Sequence, residues 1–185
     1  MIRSGVGGRS GLAVGGPGRW VSPVLYALLL VVVQGALSRL LDGSPVPPPN
    51  LFLLTAVALV WRFSPVAALL GAYGVGLAQD ILGGGVLGLH AAGVAGGVLL
   101  VLTVRRLVAG AGAVQAVVTV LAATVGQWLA FLFLTYWLRS DLVTLDTLIR
   151  TVPLAFLTTL LAFPLWERVV RWGLGPRAGS QGGLG

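Results

Sequence analysis

The sequence lacks cysteine and lysine and carries little charge of either sign. Without cysteine, the chain forms no disulfide bonds and offers no thiolate ligands to a metal ion. Only 9% of its 185 residues are charged, whereas an ordinary soluble domain carries about 25%, so the chain has too little polar surface for a globule in water. One histidine and one glutamate leave little material for catalysis. These shortages favour a membrane-embedded unit over a soluble enzyme.

Hydrophobic residues account for 57% of the sequence and fall into six apolar runs. The runs cover residues 21–41, 51–61, 66–82, 86–104, 114–138 and about 148–166. Such a run forms a helix in lipid, because hydrocarbon offers no water to satisfy backbone groups, and none shows the alternating polarity of a barrel strand. The sequence therefore predicts an all-α integral membrane protein with six transmembrane helices over residues 20–172. Flexible, glycine-rich cytoplasmic tails are expected at 1–19 and 173–185.

The first two runs each have a second interpretation. The segment 36–38 resembles a signal-peptidase site, which would make the first run a cleaved signal, but the run is long enough for a retained span of about 20 residues. The second run is short, since its residues rise only about 1.5 Å each against ~30 Å of hydrocarbon. A start at Pro48 or Pro49 would lengthen it, because proline is tolerated in a first helical turn. A re-entrant second run is the alternative.

Twelve arginines against five acidic residues give the chain a formal charge of +7. They are scattered between apolar runs rather than arranged as a stripe, so no nucleic-acid partner is expected. With six spans, nine arginines lie on the side of the two tails: Arg3, Arg9, Arg19, Arg62, Arg105, Arg106, Arg168, Arg171 and Arg177. Arg39, Arg139 and Arg150 lie on the opposite side. Because arginine-rich ends stay in the cytoplasm, both termini are predicted to be cytoplasmic; five spans would remove most of this asymmetry.

Small residues recur at a spacing of four in the third, fourth and fifth runs. The positions are Ala68, Ala72 and Gly76, then Gly88, Ala92 and Gly96, then Ala122 and Gly126. Small side chains let helix backbones approach closely in a membrane. The third and fourth runs are joined only by a glycine turn at 83–85. They are therefore predicted to form a tight antiparallel hairpin at the centre of the fold.

Two polar residues flank this predicted turn, Asp80 and His90. Asp80 could be a buried acceptor that fixes the hairpin or pairs with an arginine of a partner, but its position favours a partly hydrated site at the outer interface. In either case its expected role is structural, as an acceptor for backbone N–H groups at the turn. His90 could form a hydrogen-bonded pair with Asp80. A lone histidine makes no metal site, which needs three or four ligands, and no metal or cofactor is expected.

Tryptophan and glutamine give two further predictions. Five tryptophans fall at the ends of runs and predict a belt at the membrane interface: Trp20, Trp61, Trp137, Trp166 and Trp172. Gln34 and Gln127 are single polar groups inside apolar runs, and interhelical hydrogen bonds explain them without a substrate.

The segment 76–90, GLAQDILGGGVLGLH, resembles the signature of the MreD family, small polytopic proteins that determine rod shape in bacteria. That signature joins Gly-Leu-x-x-Asp to a glycine turn followed by Leu-Gly. Pro49 and Asn50 also fit the family, which often has aspartate after the proline; Asn50 keeps an acceptor without the charge. The candidate structural or partner-binding residues are Gly76, Asp80, Gly83, Gly84, Gly88, His90, Pro49, Asn50, Ala72 and Ala92.

The resemblance implies a non-enzymatic scaffold of the bacterial cytoplasmic membrane. Family members are similar in fold to the S-components of energy-coupling vitamin transporters. They bind the single-span protein MreC and belong to the cell-wall elongation machinery with RodA, its transpeptidase and MreB. The alternative is a small-solute-binding S-component. It is disfavoured because the first run pairs Ala27 with Val31 and Ala36 with Leu40, not small with small, and because a ligand cavity needs several converging polar groups.

Overall fold

The computed structural model describes residues 21–84, 86–105, 112–137 and 145–175. These ranges contain six helices and no strand. The helices are α1 (Val21–Leu40), α2 (Leu51–Val60), α3 (Pro65–Gly83), α4 (Leu89–Val104), α5 (Ala113–Trp137) and α6 (Leu145–Leu174). The tail predicted for 1–19 and most of the one predicted for 173–185 lie outside the described residues, and α6 continues to Leu174.

Four of the helices are long and apolar enough to cross a membrane. They are α1, α3, α5 and α6, whereas α2 and α4 are shorter apolar helices of 10 and 16 residues. The described part of the chain is therefore an all-α, multi-pass membrane protein.

The helix ends follow from local residue chemistry. The Ser64 hydroxyl accepts from the Ala67 N–H and Pro65 occupies the first turn of α3, where its missing N–H costs nothing. Gly84 ends α3 in the left-handed conformation, at φ 64°. Asn50 caps α2 from a non-helical position, so α2 starts at Leu51, as the second run predicts, and the longer alternative from Pro48 or Pro49 does not occur. The prolines precede the helix, whose first turn is stabilised by the Asn50 side chain instead.

The short helix α2 is the centre of the bundle. All ten of its residues are buried, and it contacts each of the other five helices. At about 15 Å it covers only half of a hydrocarbon core. Protein rather than lipid surrounds it, so neither its length nor its ends are set by the membrane.

Side chains outside α2 donate hydrogen bonds to the carbonyl groups at its C-terminal end. The Arg62 guanidinium, 3% exposed, donates to the Ala58 carbonyl, the Gly175 carbonyl and the Glu167 carboxylate. Arg105 donates to the Val60 carbonyl at 3.2 Å. Cations at a helix C-terminus also complement its dipole. These contacts bring the ends of α2, α4 and α6 together at what we call the arginine end of the bundle.

Glycine brings α3, α4 and α5 into backbone contact. A Cβ placed on Gly76 of α3 would lie 2.5 Å from the Ala91 Cα of α4, which confirms the close α3–α4 hairpin. The glycines of α4 face a different neighbour from the one expected. Cβ atoms on Gly96 and Gly97 would meet the carbonyl oxygens of Gly126 and Ala123 on α5. Small residues cover more than one face of α4, so their spacing alone did not identify the partner helix.

Candidate functional site

The Asp80 carboxylate joins the end of α3 to the start of α4. It accepts backbone N–H groups from Gly88 at 2.8 Å, His90 at 2.9 Å and Ala91 at 3.1 Å. Gly88, the N-cap residue of α4 at φ 94°, has no side chain with which to cap the helix. A carboxylate from the preceding helix thus satisfies donors that α4 cannot satisfy itself, where the helix dipole also favours negative charge. The predicted backbone role of Asp80 is confirmed.

The expected partial hydration of Asp80 is wrong. Its side chain is completely buried, because α4 begins against α3 and covers the carboxylate with its own first turn. Its partners are all N–H donors, which compensate for the loss of water around a charge.

His90 completes the set of donors around Asp80. Its Nδ1 lies 2.8 Å from Asp80 Oδ1, so the predicted pair forms. The ring is one-third exposed and meets Phe131 edge-on, with centroids 5.6 Å apart. Against an ionised carboxylate Nδ1 carries the proton, and in the neutral ring Nε2 is then an acceptor.

Polar side chains from three helices surround the start of α2. Gln34 of α1 accepts from the Leu51 N–H at 2.9 Å, and Thr159 of α6 accepts from the Asn50 N–H at 3.2 Å. Asn50 accepts from the Leu53 N–H and donates to Gln127 of α5 at 3.3 Å. The predicted interhelical role of both glutamines is confirmed. Thr159 was not predicted as a partner, since 109 residues separate it from Asn50.

A cavity of about 230 Å³ opens beside this cluster, and we call it the polar chamber. Pro47 and Pro48 form one wall, and α3 to α6 contribute the others. Its hydrogen-bonding residues are Asn50, Gln79, His90, Thr124, Gln127, Trp128, Thr151 and Thr159. The chamber lies where α2 and α4 begin, at the end of the bundle opposite the arginine end.

A second polar cluster holds α1 and α6 against α2. The Thr55 hydroxyl donates to the Leu51 carbonyl at 2.8 Å, so it is the acceptor for Tyr26 Oη at 2.6 Å and for the Trp166 indole N–H at 3.1 Å. Trp166 is only 5% exposed. Its predicted place in an interfacial belt is wrong, because its N–H binds inside the protein. Trp137 and Trp172 are exposed.

An open apolar groove runs between α1 and α3, with α2 as its floor. Among the described helices, α1 contacts only α2 and α6, so a gap remains between α1 and α3. Two adjoining cavities of about 370 Å³ and 340 Å³ share Val31 and Phe52 and fill this gap. The small residues along it are Ala27, Gly35, Gly71, Gly74, Ala78 and Gly83. We call it the α1–α3 groove.

The candidate residues named from the sequence do not form a single site. The contact between α3 and α4 is formed by Gly76, Asp80, Gly88 and His90. Gly84 ends α3. Gly83 lines the α1–α3 groove. Buried Ala72 lies in the core beneath it, and Ala92 is half-buried on α4. Pro49, which is buried, and Asn50, which is half-buried, belong to the start of α2. Within the four described ranges, no group of three or more His, Cys, Asp or Glu residues could hold a metal ion.

Comparison with known proteins and structures identifies no relative of this chain. No family model, no curated protein and no solved structure matches this chain.

Proposed function

We propose that this protein is an MreD-like membrane scaffold of the cell-wall elongation machinery and holds the single transmembrane helix of MreC in the α1–α3 groove. RodA, its transpeptidase and MreB would join through the assembled complex, in the bacterial cytoplasmic membrane. The observation that carries the proposal is the groove itself, an apolar channel that opens sideways and is floored by a buried helix.

The lining of the groove suits a helix better than lipid chains. Gly71, Gly74 and Ala78 stand on its α3 wall and Ala27 on its α1 wall. Small residues let a third backbone approach closely, which is how helices associate in a bilayer, where apolar burial alone gives little driving force. Acyl chains adapt to any apolar surface and need no such small residues.

The proposed topology has six crossings, a fold like that of the S-components and both termini in the cytoplasm. The helix α2 alone reaches about 15 Å, and the extended connector at 42–50 can span the remaining distance at ~3.3 Å per residue. Its backbone at this depth is compatible with a bilayer because Pro47, Pro48 and Asn50 line a polar chamber. The arginine end would face the cytoplasm.

The α3–α4 contact has an indirect part in this scaffold. Gly76 and Asp80 fix α3 on α4, and α3 in turn forms one wall of the groove. A substitution at either residue would disturb the wall and the fold together, as would one at Gly88, whose φ of 94° disfavours side chains. A clean test therefore requires a residue that lines the groove without packing inside the bundle.

Gly74→Leu provides such a test. A Cβ on Gly74 meets no atom within 4 Å, so leucine there projects into the groove and does not displace a neighbour. We expect recovery of MreC in co-purification to fall about tenfold, in line with the 1–3 kcal/mol that overpacking typically costs. The melting temperature of the isolated protein should not fall.

Ala67→Leu is the matched control. Ala67 is exposed on the same helix and outside the groove, so MreC recovery should stay at the wild-type level. Equal recovery with Gly74→Leu and wild type would remove the groove from the proposal. Equal loss with both variants would point to a general effect of leucine on α3.

The position of α1 gives no support to the transporter alternative. The side chains of Ala27 and Val31 both line the groove, and the pair still lacks the small-small spacing expected for docking on a transport module. The polar chamber does bring polar side chains together, as the alternative requires, but the small residues of the groove favour a partner helix, so the scaffold is retained as the proposed function.

A further inference from the structure

The two halves of the α1–α3 groove differ in chemistry. The inner half is the cavity of about 370 Å³ that reaches Leu174 at the arginine end. Its polar side chains are Tyr26 and Thr55, whose hydroxyls are bonded to each other. The outer half is the cavity of about 340 Å³ that reaches Gly83. Its polar side chains are Gln34, Ser38 and Gln79. A purely apolar partner would therefore match the inner half but not the outer half.

The amide of Gln34 has donors that the fold does not use. Its Oε1 accepts from the Leu51 N–H at 2.9 Å, so the nitrogen keeps two N–H groups. Neither has a hydrogen-bond partner among the described residues. Unlike Gln79 Oε1, which is shielded, the nitrogen of half-buried Gln34 is open to the groove. A neighbouring helix in the groove can therefore reach it.

The depth of Gln34 makes its donors costly to leave unpaired. The helix α1 has 20 residues, so its length of about 30 Å matches the hydrocarbon core. Gln34 lies roughly 9 Å before the Leu40 end of this helix. At that depth the open side of the groove faces acyl chains, which offer no acceptor to an amide. Lipid alone therefore leaves Gln34 unsatisfied.

Ser38 extends this polar surface by one helical turn. It follows Gln34 at a spacing of four, so the two side chains lie on one face of α1, and both line the outer half. The exposed Ser38 hydroxyl has no hydrogen-bond partner among the described residues either, and a hydroxyl can donate as well as accept. One side chain of a neighbouring helix could thus bond to Gln34 and Ser38 together.

The outer half also has room for the backbone of that helix. Gly35 of α1 and Gly83 of α3 line it, and a Cβ on either residue would meet no atom within 4 Å. Close approach of this kind allows a short polar side chain to bond across a helix interface.

The lining of the outer half restricts the polar residue to a neutral one. No described residue that lines it is charged, so a charged side chain of the partner would lose hydration without gaining a counter-ion. Serine, threonine, asparagine and glutamine are the neutral side chains that offer an oxygen acceptor at this length. In the inner half the same residue would meet apolar side chains and the paired hydroxyls of Tyr26 and Thr55.

We propose that the outer half of the groove selects a transmembrane helix that carries one neutral hydrogen-bonding side chain in its outer third, opposite Gln34 and Ser38. The inference rests on the proposed function, in which the groove holds a partner's span, and it adds how that span is chosen. An entirely apolar span leaves the donors of Gln34 unpaired, and a span shifted along the groove moves its polar residue away from them. The polar contact thus sets both partner and register.

Host spans of fixed orientation can test this preference. The tagged full-length protein is co-expressed with single-span proteins whose membrane segment contains only leucine and alanine, with basic residues on the cytoplasmic flank. One host has no guest residue, one has asparagine in its outer third, and one has asparagine in its inner third. The inner asparagine also controls for self-association of the host.

We expect the outer asparagine to raise co-purification about threefold over the unmodified host, the average effect of one interhelical hydrogen bond in a membrane. The inner asparagine should give no increase. Gly74→Leu should lower the recovery of all three hosts, because it fills the groove. Equal recovery of the outer and inner guests, or recovery of no host, would overturn the proposal.

Substitutions on α1 locate the preference. Gln34→Leu should remove most of it and Ser38→Ala part of it, whereas Ser44→Ala, at an exposed residue outside the groove, should leave it unchanged. The melting temperature of each variant monitors the fold. A preference that survives Gln34→Leu combined with Ser38→Ala would overturn the proposal. MreC recovery with Gly74→Leu tests the scaffold separately: a fall there, without any preference among the hosts, would overturn only the polar selection.

Discussion

The two sides of the bundle are held together by different chemistry. On one side, α3, α4 and α5 meet backbone to backbone at Gly76, Gly97 and Gly126. On the other side, α1 and α6 are attached to α2 through hydrogen bonds of Tyr26 and Trp166 to Thr55. Close backbone contact leaves no space for adjustment, whereas side-chain hydrogen bonds allow a helix to shift and pair again. We therefore expect the first side to act as a rigid frame and the second as an adjustable wall, and the groove lies where the two meet.

Asp80→Ala, in the rigid frame, should give the largest loss of stability. This change leaves three backbone N–H groups and His90 Nδ1 without their acceptor. Buried unsatisfied donors cost roughly 1–3 kcal/mol each, so we expect about 3 kcal/mol or more of lost stability in detergent, measured by thermal unfolding. Asp42→Ala, at an exposed connector residue, should unfold like the wild type. A small loss at Asp80 would show that the α4 start is satisfied in another way.

Gly76→Ala tests the rigid frame with a single methyl group. Its Cβ would lie 2.5–2.8 Å from backbone atoms of His90 and Ala91, so α3 and α4 must separate. We expect a loss of about 2 kcal/mol, within the usual range for overpacking. Gly74→Ala, two residues earlier on the same helix, meets no atom within 4 Å. It should be neutral or slightly stabilising because alanine favours helix, and equal melting temperatures for the two variants would contradict close α3–α4 contact.

Thr55→Val tests the adjustable wall. It removes the hydroxyl that accepts from Tyr26 and Trp166 at nearly constant volume, and the expected loss is about 1–2 kcal/mol. Hydrogen exchange should rise in α1 and α6 more than in α4. The control is Thr103→Val, at an exposed residue whose hydroxyl bonds only to its own helix, and little change is expected there. Uniform exchange over all helices would contradict a division into two sides.

Gln34→Leu should give the smallest effect. The Leu51 N–H loses its side-chain acceptor, but one lost hydrogen bond at a helix start is a small change, because water satisfies such N–H groups in many helices. We expect a loss of about 1 kcal/mol in thermal unfolding. Gly35→Ala, at the next residue of α1, meets no atom within 4 Å and serves as the control.

Most of the helices could be predicted from local chemistry, whereas the long-range contacts between them could not. The ends of α2 and α3 follow from Asn50, Ser64 and the glycine turn, and each predicted run contains most of one helix. The run predicted at 86–104 began too early because Val86 and Leu87 are apolar, yet α4 starts only after Gly88. The run predicted at 148–166 ended too early: α6 continues through Pro153 and Pro164 to Leu174.

The contacts of the candidate site also divide into local ones, which could be predicted, and long-range ones, which could not. The Asp80–His90 contact was predictable because only ten residues separate the two and a glycine turn folds them together. The bond from Asn50 to Thr159 spans 109 residues, and neither residue carries a local signal for the other. Tyr26 and Trp166 likewise gave no sign of meeting at Thr55, since a threonine in an apolar run usually binds its own helix. The groove was unpredictable for a further reason, because a gap depends on which helices fail to touch.

The burial of α2 has a consequence for how the chain is made. Its first backbone N–H groups depend on Gln34, synthesised earlier, and on Thr159, synthesised more than a hundred residues later. While the ribosome is still extending the chain, α2 therefore emerges with its start incompletely paired. The helix can reach its final place only when α6 has left the insertion machinery, so a helix translated much later completes the environment of α2.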